Sequence, residues 1–398
     1  MTSFITFWIG DYMEKRYVEL DALRGLAALF VVINHYLMIY PSFSEYRYDG
    51  DSSFLLSMVK ESPLRLLFSS GNESVVLFFV LSGFVLALPF YGRSSFRYEN
   101  YLVRRICRIY LPYLFAVCVA ILCKILFSQG GISQVSHWFN NSWITSESPS
   151  LLLQHFFLIG TFNTDAYNNV IWSLVHEMRI SIIFPLLMIL LLRMDAKKII
   201  MLLFFVFVSS SALLLLNQSN LEPTNFLLSY HYLLLFAAGA VTAKYRDFFI
   251  QLYLKIGTFK KGLIVLIAFT CYLSEGIMGN YAITNNFLCR NLAVMVGSCM
   301  FIIIALASPA ASKVLRTGVL SFLGKVSYSL YLTHLIVLFS AMYLLHGLLP
   351  YWSILSICFL VSLVMASVTY HFVEKPSSRL GKFLTRNKVV FGGAVSRK

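Results

Sequence analysis

The sequence predicts an all-α, polytopic transmembrane helix bundle of about ten spans, with both termini cytoplasmic. Three observations predict it. Of 398 residues, 58% are hydrophobic and only 13% charged, against about 25% charged in a soluble domain. Apolar runs recur along the whole chain at close to the roughly 20 residues that cross a bilayer as a helix. Positive charge alternates between the connecting segments: 24 of the 32 Lys and Arg fall in one set of alternate segments and 3 in the other. Because positive residues stay cytoplasmic, that split orients the chain and requires an even number of spans. The net charge of +14 is therefore topology. The composition excludes a soluble enzyme, a disordered chain and a nucleic-acid-binding domain.

The runs lie near 22–40, 74–91, 109–127, 170–192, 199–216, 226–243, 262–278, 287–307, 326–346 and 351–373. They define a transmembrane domain over 21–373, a cytoplasmic N-terminal segment over 1–20 and a basic cytoplasmic tail over 374–398, suited to an anionic leaflet surface. The outer positive residues are Arg47, Lys60 and Arg65. The longest outer segment, 128–169, has no Lys or Arg and contains Trp138, Asn140, Asn141, Trp143 and Asp165. Within it the apolar stretch 151–159 is too short to span, and reads as re-entrant or interfacial. The first run contains Arg24 and His35 and has no small-residue cleavage site, so it is retained rather than cleaved. Met13 offers a second possible start. Seven cysteines (Cys107, Cys118, Cys123, Cys271, Cys289, Cys299, Cys358) show no ligand spacing and read as small apolar residues.

Ionisable residues inside spans carry the chemical signal, since each costs about 2.5–3.5 kcal/mol at mid-bilayer on insertion scales. In the first run Asp21, Arg24 and His35 share a face. Arg24 and His35 are eleven residues apart, which is three turns and roughly 16 Å along the axis. Arg24 could snorkel or bind an anion. His35 could be a bonded core residue or a proton carrier near neutral pH. Ser82-Gly83 in the second run allows close helix approach. Arg105 and Arg108, a turn apart, could satisfy topology or clamp a phosphate. The fourth run holds Trp172, His176 and Arg179 on one stripe. Glu177 and Arg179 point about 200° apart, so each needs partners on other elements. In the ninth run Ser327, Tyr331 and His334 share a face. The other histidines, His137, His155, His231, His346 and His371, occur singly and read as structural.

These blocks resemble the acyltransferase-3 family of membrane O-acyltransferases. Glu19 through Ala28 with Asn34-His35 is similar to its opening Arg-x10-His signature. Phe78–Phe84, Arg105-Ile106-Cys107-Arg108, Trp172–Glu177, Gly324–His334 and Phe372–Pro376 follow in the family's order. The resemblance covers roughly 15–380. It implies a bacterial inner-membrane protein that takes an acyl group, usually acetyl, from cytoplasmic acyl-CoA and passes it to a hydroxyl of a carbohydrate. It implies membrane lipids, acyl-CoA and a glycan acceptor as partners, no nucleic acid, no metal and no tightly bound cofactor. His176 before Glu177, with Met178-Arg179 following, departs from the family's usual continuation and puts acceptor specificity in question. No hydrolase-like domain follows the last span in this sequence, so transfer would finish within the membrane domain.

On that resemblance Arg24, Arg105 and Arg108 would hold CoA phosphates, and the pantetheine arm would carry the thioester toward His35. His35 would act as general base or be acylated transiently. Glu177, Tyr331 and Ser82 would orient the imidazole or steady the oxyanion, with Asp21, Trp172, His176 and His334 in support. The alternative class is a secondary transporter of a glycan precursor or small anion. Against it, neither an interrupted helix pair nor two-half symmetry is visible in the sequence.

Overall fold

The computed structural model describes residues 17–44, 70–92, 96–145, 148–217, 222–274 and 287–386. Arg47, Lys60, Arg65, Met13 and the last twelve residues of the basic tail lie outside them. The described residues form helices and no strands.

The long helices are α1 (Val18–Leu37), α2 (Gly71–Tyr91), α3 (Tyr98–Phe127), α4 (Ile171–Arg193) and α5 (Ala196–Leu216). They continue with α6 (Phe226–Lys244), α7 (Thr258–Tyr272), α8 (Phe287–Ala307), α9 (Gly318–Leu345) and α10 (Tyr351–Thr369). Among the described residues nine helices are long and apolar enough to cross a membrane. Helix α7, at 15 residues, is the exception. It coincides with the seventh predicted run, whose end at 275–278 lies outside the described residues. Ile189, Leu190, Phe204, Phe205, Leu360 and Val364 stand exposed around the bundle, which a bilayer accounts for and water does not.

Two glycine crossings set the frame. Helix α1 packs on α9, and a Cβ on Gly25 would lie 2.5 Å from the Gly324 backbone nitrogen. Helix α2 packs on α6 in the same way. A Cβ on Gly239 would collide with the Val80 carbonyl oxygen and lie 2.7 Å from the Phe84 nitrogen, and Gly83 meets Phe236. Small residues replace hydrophobic drive where the surroundings are themselves apolar, because they let backbones approach. The Ser82-Gly83 step is thus a packing device, as its composition suggests.

Helix α3 starts eleven residues earlier than the predicted run. The stretch Arg104 to Arg108, outside the predicted run, is helical and continues through a π-helical turn at Ile106–Tyr110. A π turn widens the helix by one residue and redirects the turns beyond it, and such turns recur at functional sites.

The segment 148–170 is tied to the bundle by hydrogen bonds. Its helix Pro149–Phe157 is capped by Ser148, whose Oγ accepts from the Leu151 amide at 3.2 Å, and it ends at Leu158 with φ 53°. Four carbonyls at its tip are met by side chains. Tyr113 donates to His155 at 2.6 Å, Tyr110 donates to Phe156, and Arg179 donates to Ile159 and Gly160 at 2.9 and 2.8 Å. Irregular backbone survives at membrane depth only when its polar groups are satisfied in this way. The segment packs on the bundle through these bonds, as either sequence reading, interfacial or re-entrant, allows.

The beginning of the basic tail is a docked helix rather than a free strand of charge. Helix α11 (Lys375–Arg386) lies against α3, where Gly381 sits over Cys107 and Arg104 Nε donates to Thr385 Oγ1 at 2.8 Å.

Candidate active site

The α1–α9 pairing brings two imidazoles together. Ten residues separate Gly25 from His35, and ten separate Gly324 from His334. The helices cross parallel at the glycines, so both chains rise about 15 Å in step and the rings meet. His35 Nδ1 lies 2.9 Å from His334 Nε2. His334 Nδ1 lies 3.0 Å from the Leu330 carbonyl oxygen, which can only accept. With both rings neutral, the proton on His334 is therefore at Nδ1 and its Nε2 is an acceptor. His35 must donate from Nδ1, which puts its lone pair on Nε2. The His35 ring is stacked between His334 (5.2 Å, 12°) and Trp138 (5.5 Å, 7°).

His35 lines a chamber of about 790 Å³ with Asn34, Trp138, Asn141, Asp165, Asn169, Trp172 and Tyr232. That volume is in the range of small-molecule sites. His137 lines it as well. At the basic end of α1 and α3 lies a second cavity of about 150 Å³. Arg24, Arg105, Arg108, Asp21, Ser82, Glu177, Tyr328 and Glu374 line it. Val75 and Tyr331 belong to the walls of both. Tyr331 is fixed in that position by Ser173 Oγ at 2.8 Å, by the Val170 carbonyl at 3.3 Å and by an edge contact with Phe78.

Each residue singled out in the sequence can now be located. Arg24, Arg105 and Arg108 do share a cavity, and Asp21 is 3.8 Å from Arg24. Arg105, though, is already engaged: it donates to Glu177 Oε1 at 2.9 Å and to Ser181 Oγ at 2.7 Å. Ser82 also donates to Glu177, at 3.3 Å. Glu177 therefore sits in the basic cavity, and the partner of the His35 ring is His334 instead. The 200° separation of Glu177 and Arg179 has the expected result, with partners for each on different elements.

His176 faces away from both cavities. Its ring bonds Ser229 Oγ and the Pro223 carbonyl, each at 2.8 Å. Arg179 beside it donates to Ile159, Gly160, Thr224 and Ser229, with its guanidinium 3.8 Å above the Phe226 ring. The two residues pin the 158–162 and 223–229 segments, and His176 supports the chamber only through that scaffold. Trp172 does line the chamber.

Sequence reasoning missed the roles of Trp138, Asp165 and Asn169, all in the outer segment. The one available signal was the concentration of Trp, Asn and Asp in a stretch without Lys or Arg. Burial and the nearby Glu222 carboxylate raise the Asp165 pKa, against hydrogen bonds from Asn169 and Thr164.

A helical bundle in which a half-buried, tautomer-fixed imidazole lines a chamber that adjoins a basic cavity fits a membrane-embedded transferase. The acyltransferase-3 family model, described as an acyltransferase domain, matches residues 17–371. The chain belongs to this family: it is an integral multi-pass membrane acyltransferase that transfers groups other than aminoacyl groups. Comparison with curated proteins and with solved structures returns no match. Membership of an enzyme family displaces the transporter alternative.

Proposed function

We propose that the protein moves an acetyl group from acetyl-CoA, entering at the basic end, to a hydroxyl of a carbohydrate held in the large chamber. One observation carries the reading. His35 lines the chamber, and the chamber shares the walls Val75 and Tyr331 with a cavity bordered by three arginines. The smaller cavity suits a slender arm, and its mouth suits phosphates through Arg24 and Arg108, with Arg105 held by Glu177. The reaction needs the thioester carbonyl and the acceptor hydroxyl to meet at His35 Nε2.

There, His35 Nε2 takes the proton of the acceptor hydroxyl as its oxygen attacks the thioester carbonyl carbon. The tetrahedral intermediate collapses, the C–S bond breaks, and the CoA sulfur leaves with the proton returned by His35. His334 accepts the Nδ1–H throughout and steadies the transient imidazolium, a task that a properly held base contributes about 10²–10⁴-fold to rate. Direct transfer requires only His35, which lines the chamber, and His334 behind it, and involves no acylated enzyme. The expected site of action is the bacterial inner membrane, with the donor cavity facing the cytoplasm.

The test is His35→Ala in reconstituted membranes supplied with acetyl-CoA labelled in the acetyl group. Label transfer to glycan should be lost while yield and membrane insertion are kept. Near-full transfer by this variant would refute the proposed chemistry. Mass spectrometry of glycans from cells with and without the protein should reveal the added acetyl and the sugar that bears it.

A further inference from the structure

We infer that Asp165, held by Asn169, is the acceptor-recognising element of the chamber and restricts it to uncharged polyhydroxylated acceptors. The inference rests on the acetyl-transfer reading above and narrows the substrate class of that same site.

The geometry of the wall is built for a ligand. Asn169 Nδ2 donates to Asp165 Oδ1 at 2.6 Å, and Thr164 Oγ1 lies 3.5 Å from the same oxygen. The carboxylate plane is thereby set, with both residues on the chamber lining. The backbone behind it is fixed in register with the catalytic helices. The Trp143 amide donates to the Asp165 carbonyl at 3.4 Å, and its indole donates to the Tyr167 carbonyl at 2.8 Å. Phe162 and Thr224 exchange hydrogen bonds at 3.0 and 3.1 Å. Asn168 donates to the Leu332 carbonyl at 2.8 Å, two residues before His334 on α9. One loop thus carries the carboxylate and is tied to the helix that orients the base. A shift of the loop against the imidazole pair would break these bonds.

The chemistry of the lining selects the class of acceptor. Carboxylate and amide oxygens accept hydrogen bonds from vicinal hydroxyls. Trp172 and Tyr232, 6.0 Å apart between ring centres, give the same chamber apolar faces for the C–H side of a pyranose ring. Among the described residues no Lys or Arg lines the chamber, so none of these would offset the repulsion between Asp165 and a uronate or phosphate on the acceptor. Repulsion of that kind is how a site rejects the wrong ligand as well as binding the right one. The raised Asp165 pKa agrees with a carboxylate withdrawn from water for use at a ligand surface.

The full-length protein in phosphatidylcholine nanodiscs, given acetyl-CoA, tests this through release of the CoA thiol. The probes are methyl β-D-glucopyranoside and methyl β-D-glucuronide. The neutral glycoside should stimulate release with at least tenfold greater kcat/KM than the glucuronide. Asp165→Asn should raise KM for the neutral glycoside at least tenfold with kcat within threefold, and Asp165→Lys should reverse the preference toward the glucuronide. Melting temperatures of both variants establish that they are folded; if Asp165→Lys is not, Asp165→Asn alone decides. Equal use of both glycosides, no stimulation by the neutral one, or an Asp165→Asn variant with unchanged KM would each overturn the inference. Release that is independent of His35 counts instead against the acetyl-transfer reading. Release that depends on His35 but ignores Asp165 leaves that reading intact and removes the inference.

Discussion

Replacing His334 by Phe isolates the hydrogen bond that fixes the His35 tautomer. The substitution keeps an aromatic ring of similar breadth to stack on His35 at the 5.2 Å spacing, and it removes only the acceptor 2.9 Å from Nδ1. In the variant His35 must either leave its Nδ1–H without this acceptor or move its proton to Nε2, the atom proposed as the base. Leaving a buried donor unsatisfied costs about 1–3 kcal/mol, which corresponds to roughly 5- to 150-fold in the competent population. That loss belongs in kcat. KM for acetyl-CoA should hold, because His334 is not among the described residues lining the donor cavity. The assay is initial-rate CoA release in proteoliposomes across a range of donor concentrations, with melting temperature measured in parallel. His334→Gln, whose side-chain oxygen can accept, should recover part of kcat. A folded Phe variant with kcat within threefold of the parent would refute the argument that His334 sets the tautomer.

Four further outcomes are expected. Gly239→Ala should splay α2 from α6 at the Val80 and Phe84 backbone and cost about 1–3 kcal/mol or more, read as lost monodisperse protein in detergent. Gly262→Ala, with nothing within 4 Å of the new Cβ, should leave the melting temperature unchanged or raised. Arg105→Ala should destabilise by up to about 3–5 kcal/mol by leaving Glu177 without its cation and with only the Ser82 hydroxyl, and adding Glu177→Gln should restore much of it; additive losses in a double-mutant cycle would contradict the pairing. Asp165→Asn should raise thermal stability at pH 7–8. A carboxyl whose folded pKa is raised has a cost when ionised that is present above that pKa. The cost fades as pH falls through it and is gone below the ordinary value of 3.8. A gain that grows on acidification would reverse the sign.

How much of this was readable beforehand depends on where each residue sits. His35 and Arg24 were legible because an ionisable side chain inside an apolar run has few innocent explanations. The ten-residue spacing from glycine to histidine occurs in both α1 and α9, but it acquires meaning only once the two helices are known to run parallel in contact. The α3 boundary was misread because the basic cluster 104–108 looks like a loop by hydropathy and folds as helix through a π turn. Trp138, Asp165 and Asn169 had no periodicity to expose them. Their positions depend on a path fixed by tertiary bonds from Tyr113, Arg179 and Asn168, which no local pattern encodes.

The buried charges also divide by what satisfies them, and that division separates scaffold from chemistry better than depth does. Arg179 spends its guanidinium on three backbone carbonyls, one hydroxyl and an aromatic face, and His176 uses both ring nitrogens on the same two segments. Groups saturated by protein hold a loop in place and have little left for a substrate. The His35 ring has its Nδ1 committed to His334 and stands at the wall of an open chamber. Arg24 reaches the protein through longer contacts, 3.4 Å to the Leu81 carbonyl and 3.8 Å to Asp21, while lining a cavity. Sequence assigns His35, His176, Arg24 and Arg179 the same anomaly of charge in an apolar helix. The number and chemistry of their partners separate them: the first and third line cavities, and the second and fourth are bonded into the walls around them.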